Sequence, residues 1–389
     1  MVPNSWMSCH LGDFMEFKNG LNADKSQYGY GLKFVNVMDV FGNDILTEDK
    51  IIGRVNVAES QLESNLLKFG DVLFNRTSET FDEIAMSAVY LDDKPAVFGG
   101  FVIRARPSNG ILSPAYSVYL FQSSKFRNQV IKLGQGAVRA NIGQKDLAKV
   151  KVSLPPLPEQ KKIAQILSTW DKAITTTEQL LANSQQQKKA LMQQLLTGKK
   201  RLLDKNGVRF SGEWKHQRLA TLCTIKTGKK DVNEGNPEGN YPFFTCASEP
   251  TKSDSYSYDC EALLIAGNGM LGKTHYFNGK FEAYQRTYIL SEFNEIDVPF
   301  IHQYILYWLM RDIDREKQHG AMPYIKLGLL QNFKVLSPCI AEQQKIAAVL
   351  STADREISSL QQKLDALKQE KKALMQQLLT GKRRVKVDN

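Results

Sequence analysis

One 43-residue segment occurs twice in this chain. Residues 159–201 and 342–384 align without a gap at a constant offset of 183, and 26 of the 43 positions are identical. A repeat of this kind means one structural unit built twice, and it sets the organisation of the chain before any local signal is considered. The likeness continues upstream, where NIGQKDLAKVKVSLPP from Asn141 faces YIKLGLLQNFKVLSPC from Tyr324. At the start of each half it is fainter: Trp6, Leu11 and Gly20 match Trp214, Leu219 and Gly228 at an offset of 208. The order is therefore variable block, near-constant block, variable block, near-constant block. Duplicated ends around diverged middles suit one scaffold that presents two different surfaces.

The near-constant blocks read as helices. Ser351 through Thr380 contains neither Pro nor Gly and is rich in Leu, Lys, Gln, Glu and Ala, all good helix formers. Ile346, Leu350, Ala353, Ile357, Leu360, Leu364, Leu367, Lys371, Leu374 and Leu378 step by alternating four and three residues. The first copy gives Ile163, Leu167, Trp170, Ile174, Thr177, Leu181, Ser184, Lys188, Leu191 and Leu195. This is a coiled-coil seam with polar interruptions. Two seams in one chain can satisfy each other as an antiparallel pair; pairing of each with another subunit is the alternative. Pro155, Pro156 and Pro158 precede the first helix and Pro338 the second, while Gly198 and Gly381 come after the helices as stop signals.

The variable blocks mix both periods. Residues 71–76 and 97–106 read as strands, and 114–132 and 299–318 as helices. The segments drawn from these signals are a first mixed domain (1–155), a helical region (156–198), a basic linker (199–213), a second mixed domain (214–337), a second helical region (338–381) and a basic tail (382–389). The fold class expected is α+β, two mixed α/β domains separated by two long helices that form an antiparallel coiled coil.

The formal net charge is +10, which favours an anionic partner, nucleic acid first. The five cysteines stand singly, with no CxxC pair and no Cys/His spacing for zinc. Reduced thiols fit the cytoplasm. No secretory signal pattern and no run of about 18 apolar residues appears, so no membrane role is expected.

Residues 267–274, GNGMLGKT, fit the phosphate-loop pattern G-x-x-x-x-G-K-[ST] after the apolar ALLIA. Such a site needs a helix next, so that its N-terminus faces the anion. The next residues are instead HYFNGKFEAY, with aromatic alternation and an Asn-Gly pair that reads as a hairpin turn. Strand, glycine loop and strand is the better reading, and a nucleotide-binding enzyme through Gly267–Thr274 is the lesser alternative. No G-x-S-x-G elbow and no Asn/Asp-Pro-Pro-aromatic run is present, and no G-x-G-x-x-G follows a strand to open a helix, so no catalytic residue and no metal site is assigned.

Several phrases resemble type I restriction-modification specificity subunits. LPPLPEQKKIAQILSTWDKAI (Leu154 to Ile174), KKALMQQLLTGKKRL (Lys188 to Leu202) and VRFSGEW (Val208 to Trp214) resemble that family's helical region and linker. LLKFGDVLFNRTSE (Leu66 to Glu79) and ALLIAGNGMLGK (Ala262 to Lys273) resemble the strand-and-loop motif of its target-recognition domains. The resemblance covers nearly the whole chain. It implies a non-catalytic subunit in which two target-recognition domains each read half of a split, asymmetric double-stranded DNA site and the helices set the gap. Two methyltransferase subunits and motor-nuclease subunits are the implied partners. They bring S-adenosylmethionine, ATP and magnesium; this chain is expected to bind no cofactor. A coiled-coil assembly scaffold that reads no DNA is the structural alternative.

Loop position and chemistry nominate the DNA-binding residues. In the first domain these are Asn75, Arg76 and Thr77 after a strand, with Gln135, Arg139 and Asn141 in the loop GQGAVRAN. In the second they are Lys226, Lys229 and Lys230, then Asn268, Lys273 and His275 at the surface of the glycine loop, Gln285 and Arg286, and His319 and Tyr324. Arg suits guanine and Asn adenine by bidentate contact, and Lys suits phosphate. The seam residues Ile163, Leu167, Trp170, Ile174, Leu181, Leu191, Leu195, Ile346, Leu350, Ile357, Leu364, Leu374 and Leu378 are assigned to structure.

Overall fold

The computed structural model describes residues 3–108, 110–136, 139–316 and 323–387. Both near-constant blocks are helical for 39 residues, Leu157–Leu195 and Ile340–Leu378, so each helix is about 58 Å long. After each helix the chain passes through a left-handed glycine, Gly198 at φ 71° and Gly381 at φ 72°, the usual way to end a helix.

The chain forms two compact units that cut across the segments drawn from the sequence. The first comprises residues 1–177 and 363–389, the second residues 178–362. Each long helix is thus shared, its two parts entering different cores. In the first unit Ile163, Ala164 and Leu167 join Leu378 and Leu379 in a core that also holds Trp6, Phe74, Tyr116 and Phe126. In the second, Met192, Leu195 and Leu196 join Ile346, Ala347 and Leu350 beside Leu263, Phe300 and Phe333.

Within each unit the two helical stretches run antiparallel and are tied by matched ion pairs. In the first, Lys371 pairs with Asp171, and the Arg384 guanidinium grips Glu159 through two hydrogen bonds of 2.6 and 2.8 Å. In the second, Lys188 pairs with Asp354, and Arg201 grips Glu342 at 2.7 and 2.6 Å. Lys188 and Lys371 are the polar interruption that the two seams share at equivalent positions. Each reaches the residue that the repeat places opposite it, so the interruptions specify pairing instead of breaking it. Ile163, Leu167, Leu181, Leu195, Ile346, Leu350, Leu364 and Leu378 are buried. Trp170, Ile174, Leu191, Ile357 and Leu374 are half-buried.

The first unit holds a five-stranded sheet ordered Met15–Asn19, Val102–Pro107, Val72–Asn75, Ser87–Tyr90 and Ile45–Leu46. A smaller sheet of Arg54–Val55, Tyr28–Val35 and Ala96–Phe98 packs with it. The second unit holds six strands ordered Thr224–Thr227, Thr287–Ser291, Tyr258–Ala266, Thr274–Ala283, Tyr241–Phe244 and Thr251–Ser253. In both, a strand from the start of the variable block pairs with the strand leading into the long helix: Met7–His10 with Lys151–Leu154, and Lys215–Arg218 with Lys334–Ser337.

Two local expectations are corrected. The helix expected over 114–132 is two helices, Pro114–Leu120 and Ser124–Leu133, because Ser123 caps the second by accepting from the Phe126 N–H. The Asn278-Gly279 pair is not a turn: Cys260 faces Gly279 and Glu261 faces Asn278 inside a continuous antiparallel ladder. The turn is the glycine loop itself. Gly279, at φ 132°, lets the strand continue through a backbone conformation closed to other residues.

Candidate nucleic-acid interface

In the first unit the central strand Val72–Asn75 is fully buried and delivers the chain to the surface at Arg76. The Arg76 N–H donates to the Phe101 carbonyl at 2.8 Å, and the Arg76 carbonyl accepts from Ile142 N–H at 3.0 Å. Thr77–Ser78 then pairs with Ala140–Asn141, and Gln135 and Asn141 exchange backbone hydrogen bonds of 2.9 and 2.7 Å. The two sequence-nominated loops therefore form one surface. Arg76, Gln135 and Arg139 expose their side chains there.

Three nominees hold that surface together. Asn75 is fully buried, and its amide donates to the Thr77 carbonyl at 3.3 Å; it is an interior residue, not a base reader. The Thr77 hydroxyl donates to Asn141 Oδ1 at 2.8 Å, while Asn141 Nδ2 donates to the Arg139 carbonyl at 3.0 Å. Both ends of the Asn141 amide are thus spent on the loop.

The second unit repeats the main-chain frame. The Gly267 N–H donates to the Arg286 carbonyl at 2.9 Å, and the Gly267 carbonyl accepts from Ile325 N–H at 2.8 Å. Gly267 thus stands where Arg76 stands, Arg286 where Phe101 stands, and Tyr324 where Asn141 stands. A side chain at Gly267 would come within 2.4 Å of the Arg286 carbonyl, so this domain moves its cation to the neighbouring strand. Arg286, Gln285, Lys229, Lys273 and Tyr324 are exposed around the loop and Asn268 half-exposed. Gln285 N–H donates to the Lys230 carbonyl at 2.9 Å, which brings the lysine segment beside it.

Other nominees in this unit are engaged by, or enclosed in, the protein itself. Lys230 donates to Ser255 Oγ at 2.7 Å and lies 3.8 Å from the buried Glu282 carboxylate. Lys226 sits back along the edge strand and pairs with the exposed Glu292 at 3.6 Å. His275 is half-buried, not displayed, and its Nε2 is enclosed without a hydrogen-bond partner among the described residues. Burial, and then Lys273, hold its pKa below the ordinary value, which keeps the ring neutral. His319 lies outside the described residues.

The Gly267–Thr274 segment does not fit a nucleoside triphosphate. The strand Thr274–Ala283 stands where a helix is required, and the Thr274 hydroxyl is turned back onto the Gly272 carbonyl at 3.0 Å. Among the described residues, no group of three or more His, Cys, Asp or Glu is placed to hold a metal ion, and no helix is long and apolar enough to cross a membrane.

The sequence matches the family described as the type I restriction modification DNA specificity domain over residues 3–183 and again over residues 211–369. The chain belongs to this family. As a specificity subunit it carries two target-recognition domains, one in each matched region. It is similar to the EcoDI specificity subunit of Escherichia coli, 37% identical over 43% of this chain and 37% of that subunit. A putative MjaX specificity subunit of Methanocaldococcus jannaschii is 26% identical over 99% of this chain and 95% of its own length. A crystal structure of the S subunit from M. genitalium has the same fold, with a TM-score of 0.66 at 18% identity, covering 97% of this chain and 98% of that one. Two copies of one main-chain frame thus recur in the two target-recognition domains, and the Gly267–Thr274 loop starts from the position equivalent to Arg76.

What sequence reasoning missed in this specificity subunit is the apolar side of the first interface. Met38, Met86 and Phe101 are exposed beside Thr77 and Arg139. The signal was present in VFGGFVIRAR, where two glycines precede a large aromatic, but a lone Phe in a strand pattern reads as core.

Proposed function

We propose that each target-recognition domain reads one half of a bipartite, asymmetric DNA site, and that the paired long helices fix the spacer between the halves. The observation that carries this reading is the shared frame. Equivalent hydrogen bonds hold Arg76 beside Phe101 in one domain and Gly267 beside Arg286 in the other, so one backbone offers two different chemistries. Exposed Arg76, Arg139 and Arg286 suit guanine edges, while Lys229 and Lys273 suit phosphates. Half-sites about one helical turn, ~34 Å, apart fall within the reach of helices about 58 Å long.

In this reading two methyltransferase subunits dock on the chain and bring S-adenosylmethionine, motor-nuclease subunits join them with ATP and magnesium, and the product is N6-methyladenine at the site. The chain itself does no chemistry, and its compartment is the cytoplasm. The test is selection of random duplexes by the full chain assembled with its methyltransferase partners. The expected result is two unlike half-sites at a fixed gap, bound with steep salt dependence. A complex that retains no sequence at low salt overturns the reading and leaves an assembly scaffold. Methyl transfer by this chain alone overturns the division of labour.

A further inference from the structure

A cleft of about 710 Å3 opens beside the reading loop of the first domain. Thr77 and Arg139 of the candidate interface line it, and so do Met38, Phe41, Met86 and Phe101. Phe101 is 64% exposed and Met38 69%, an unusual outlay of large apolar side chains at a surface that faces a polyanion. Both are held in place. The Phe101 carbonyl accepts from the Arg76 N–H at 2.8 Å, and the next residue, Val102, is fully buried at the start of the strand Val102–Pro107. Met38 sits in the first turn of Val37–Gly42, capped by Asn36, whose side chain accepts from the Met38 and Asp39 N–H groups.

The cleft is wrong for phosphate. Glu79 and Glu83 also line it, and both are exposed, so an anionic backbone group would be repelled. What an apolar surface recognises in the major groove is the C5-methyl group of thymine. The second domain supports the comparison, because the frame position occupied by Phe101 is there Arg286, a residue suited to guanine. Resting on the reading of this chain as a DNA specificity subunit, we propose that the Phe101 cleft reads the thymine methyl group in the half-site of the first domain. Phe101 is then a specificity-determining residue, Met38 and Met86 complete the apolar wall, and Arg139 reads the neighbouring edge.

The test is a double-mutant cycle between protein and DNA. In the selected duplex each thymine is replaced singly by deoxyuridine, which removes only the methyl group. Binding by the full chain with its partners is measured for the natural protein and for Phe101→Ala. One thymine is expected at which deoxyuridine weakens binding by about fourfold, the value of one buried methyl-sized group, and at which Phe101→Ala removes that difference. A site with no such thymine, or a thymine whose methyl dependence survives Phe101→Ala, overturns the inference while leaving sequence-selective binding intact. Loss of all sequence selection in the natural protein instead overturns the reading beneath it. Phe101 is exposed, so folding is not at stake; an unchanged unfolding midpoint for Phe101→Ala is the control.

Discussion

Arg76 and Lys230 look alike in sequence, each a cation near a strand end, and the structure gives them different surroundings. Arg76→Ala removes an exposed guanidinium from the reading loop. It is expected to cost about 1–3 kcal/mol of specific binding and to relax selection at one position. Lys230→Ala removes a partner of the buried Glu282. Its main effect is expected to be a lower unfolding midpoint of the second unit, with little change in base preference. Selection profiles and denaturant melts of both variants check this, and the reverse assignment would show the interface to be misplaced. His302 is a residue no sequence signal singled out. Burial, assisted by Lys188 and His275 against the opposing pull of the Thr274 backbone and Asp354, pushes its pKa down to about 4 from the ordinary 6.5. The folded protein therefore prefers the neutral ring. Stability is full above about pH 6.5 and falls as pH drops toward 4, on the order of 3 kcal/mol across that window. Urea midpoints between about pH 7 and pH 4 measure it, and His302→Gln is expected to flatten the slope. The nominated loops were legible because strand ends and glycine loops have local signatures. Which side chains turn inward, as Asn75 does, was not, because burial depends on what the rest of the chain packs around the strand end, such as the neighbouring strand segment whose Met86 carbonyl accepts from the Asn75 N–H.

At the scale of elements the repeat was legible and its ion pairs were not. Arg201 and Arg384 occupy equivalent places after the two helices, where the sequence shows only basic runs that read as solvated. Each instead grips a glutamate in the first turn of the opposing helix. The two latches differ in exposure. Glu342 is fully buried and the Arg201 side chain is 20% exposed, whereas Arg384 is 46% exposed. Removing one partner of a buried pair strands the other charge and costs about 3–5 kcal/mol, and exposure discounts that. Arg201→Ala is thus expected to destabilise the second unit by about 3 kcal/mol or more. Arg384→Ala should cost the first unit about 1–2 kcal/mol, since Glu159 keeps the Trp6 indole N–H at 3.2 Å. Urea unfolding tracked by probes in each unit ranks the two; an equal or reversed order would mean that burial does not govern the latches. The break at 121–123 did carry a signal, the polar run Gln122-Ser123-Ser124-Lys125 with Ser123 as the cap of the second helix, but neither Pro nor Gly interrupts residues 115–132, so the segment read as one helix.

For the whole molecule, the decisive point is where the two compact units divide the helices. The boundary falls between Thr177 and Glu178 on one helix and between Gln362 and Lys363 on the other. There Thr177, Leu181 and Leu364 are buried while most of the neighbouring helix residues are exposed. The sequence showed two rods and two heads, but not this division, because heptad spacing is uniform along a helix while burial is not. One heptad inserted into both helices at that boundary leaves the ion pairs and core of each unit with their own neighbours. Seven residues lengthen a helix by about 10 Å, close to three base pairs of duplex at ~3.4 Å each. If the helices are the ruler, the double insertion lengthens the spacer of the recognised site by about three base pairs and leaves both half-sites unchanged. Mapping of N6-methyladenine in cells carrying the altered subunit and its partners reads that outcome directly. Insertion into one helix alone shifts its heptads against an unshifted partner and is expected to abolish methylation. A double insertion that methylates the original site would show that something other than the helix pair sets the gap.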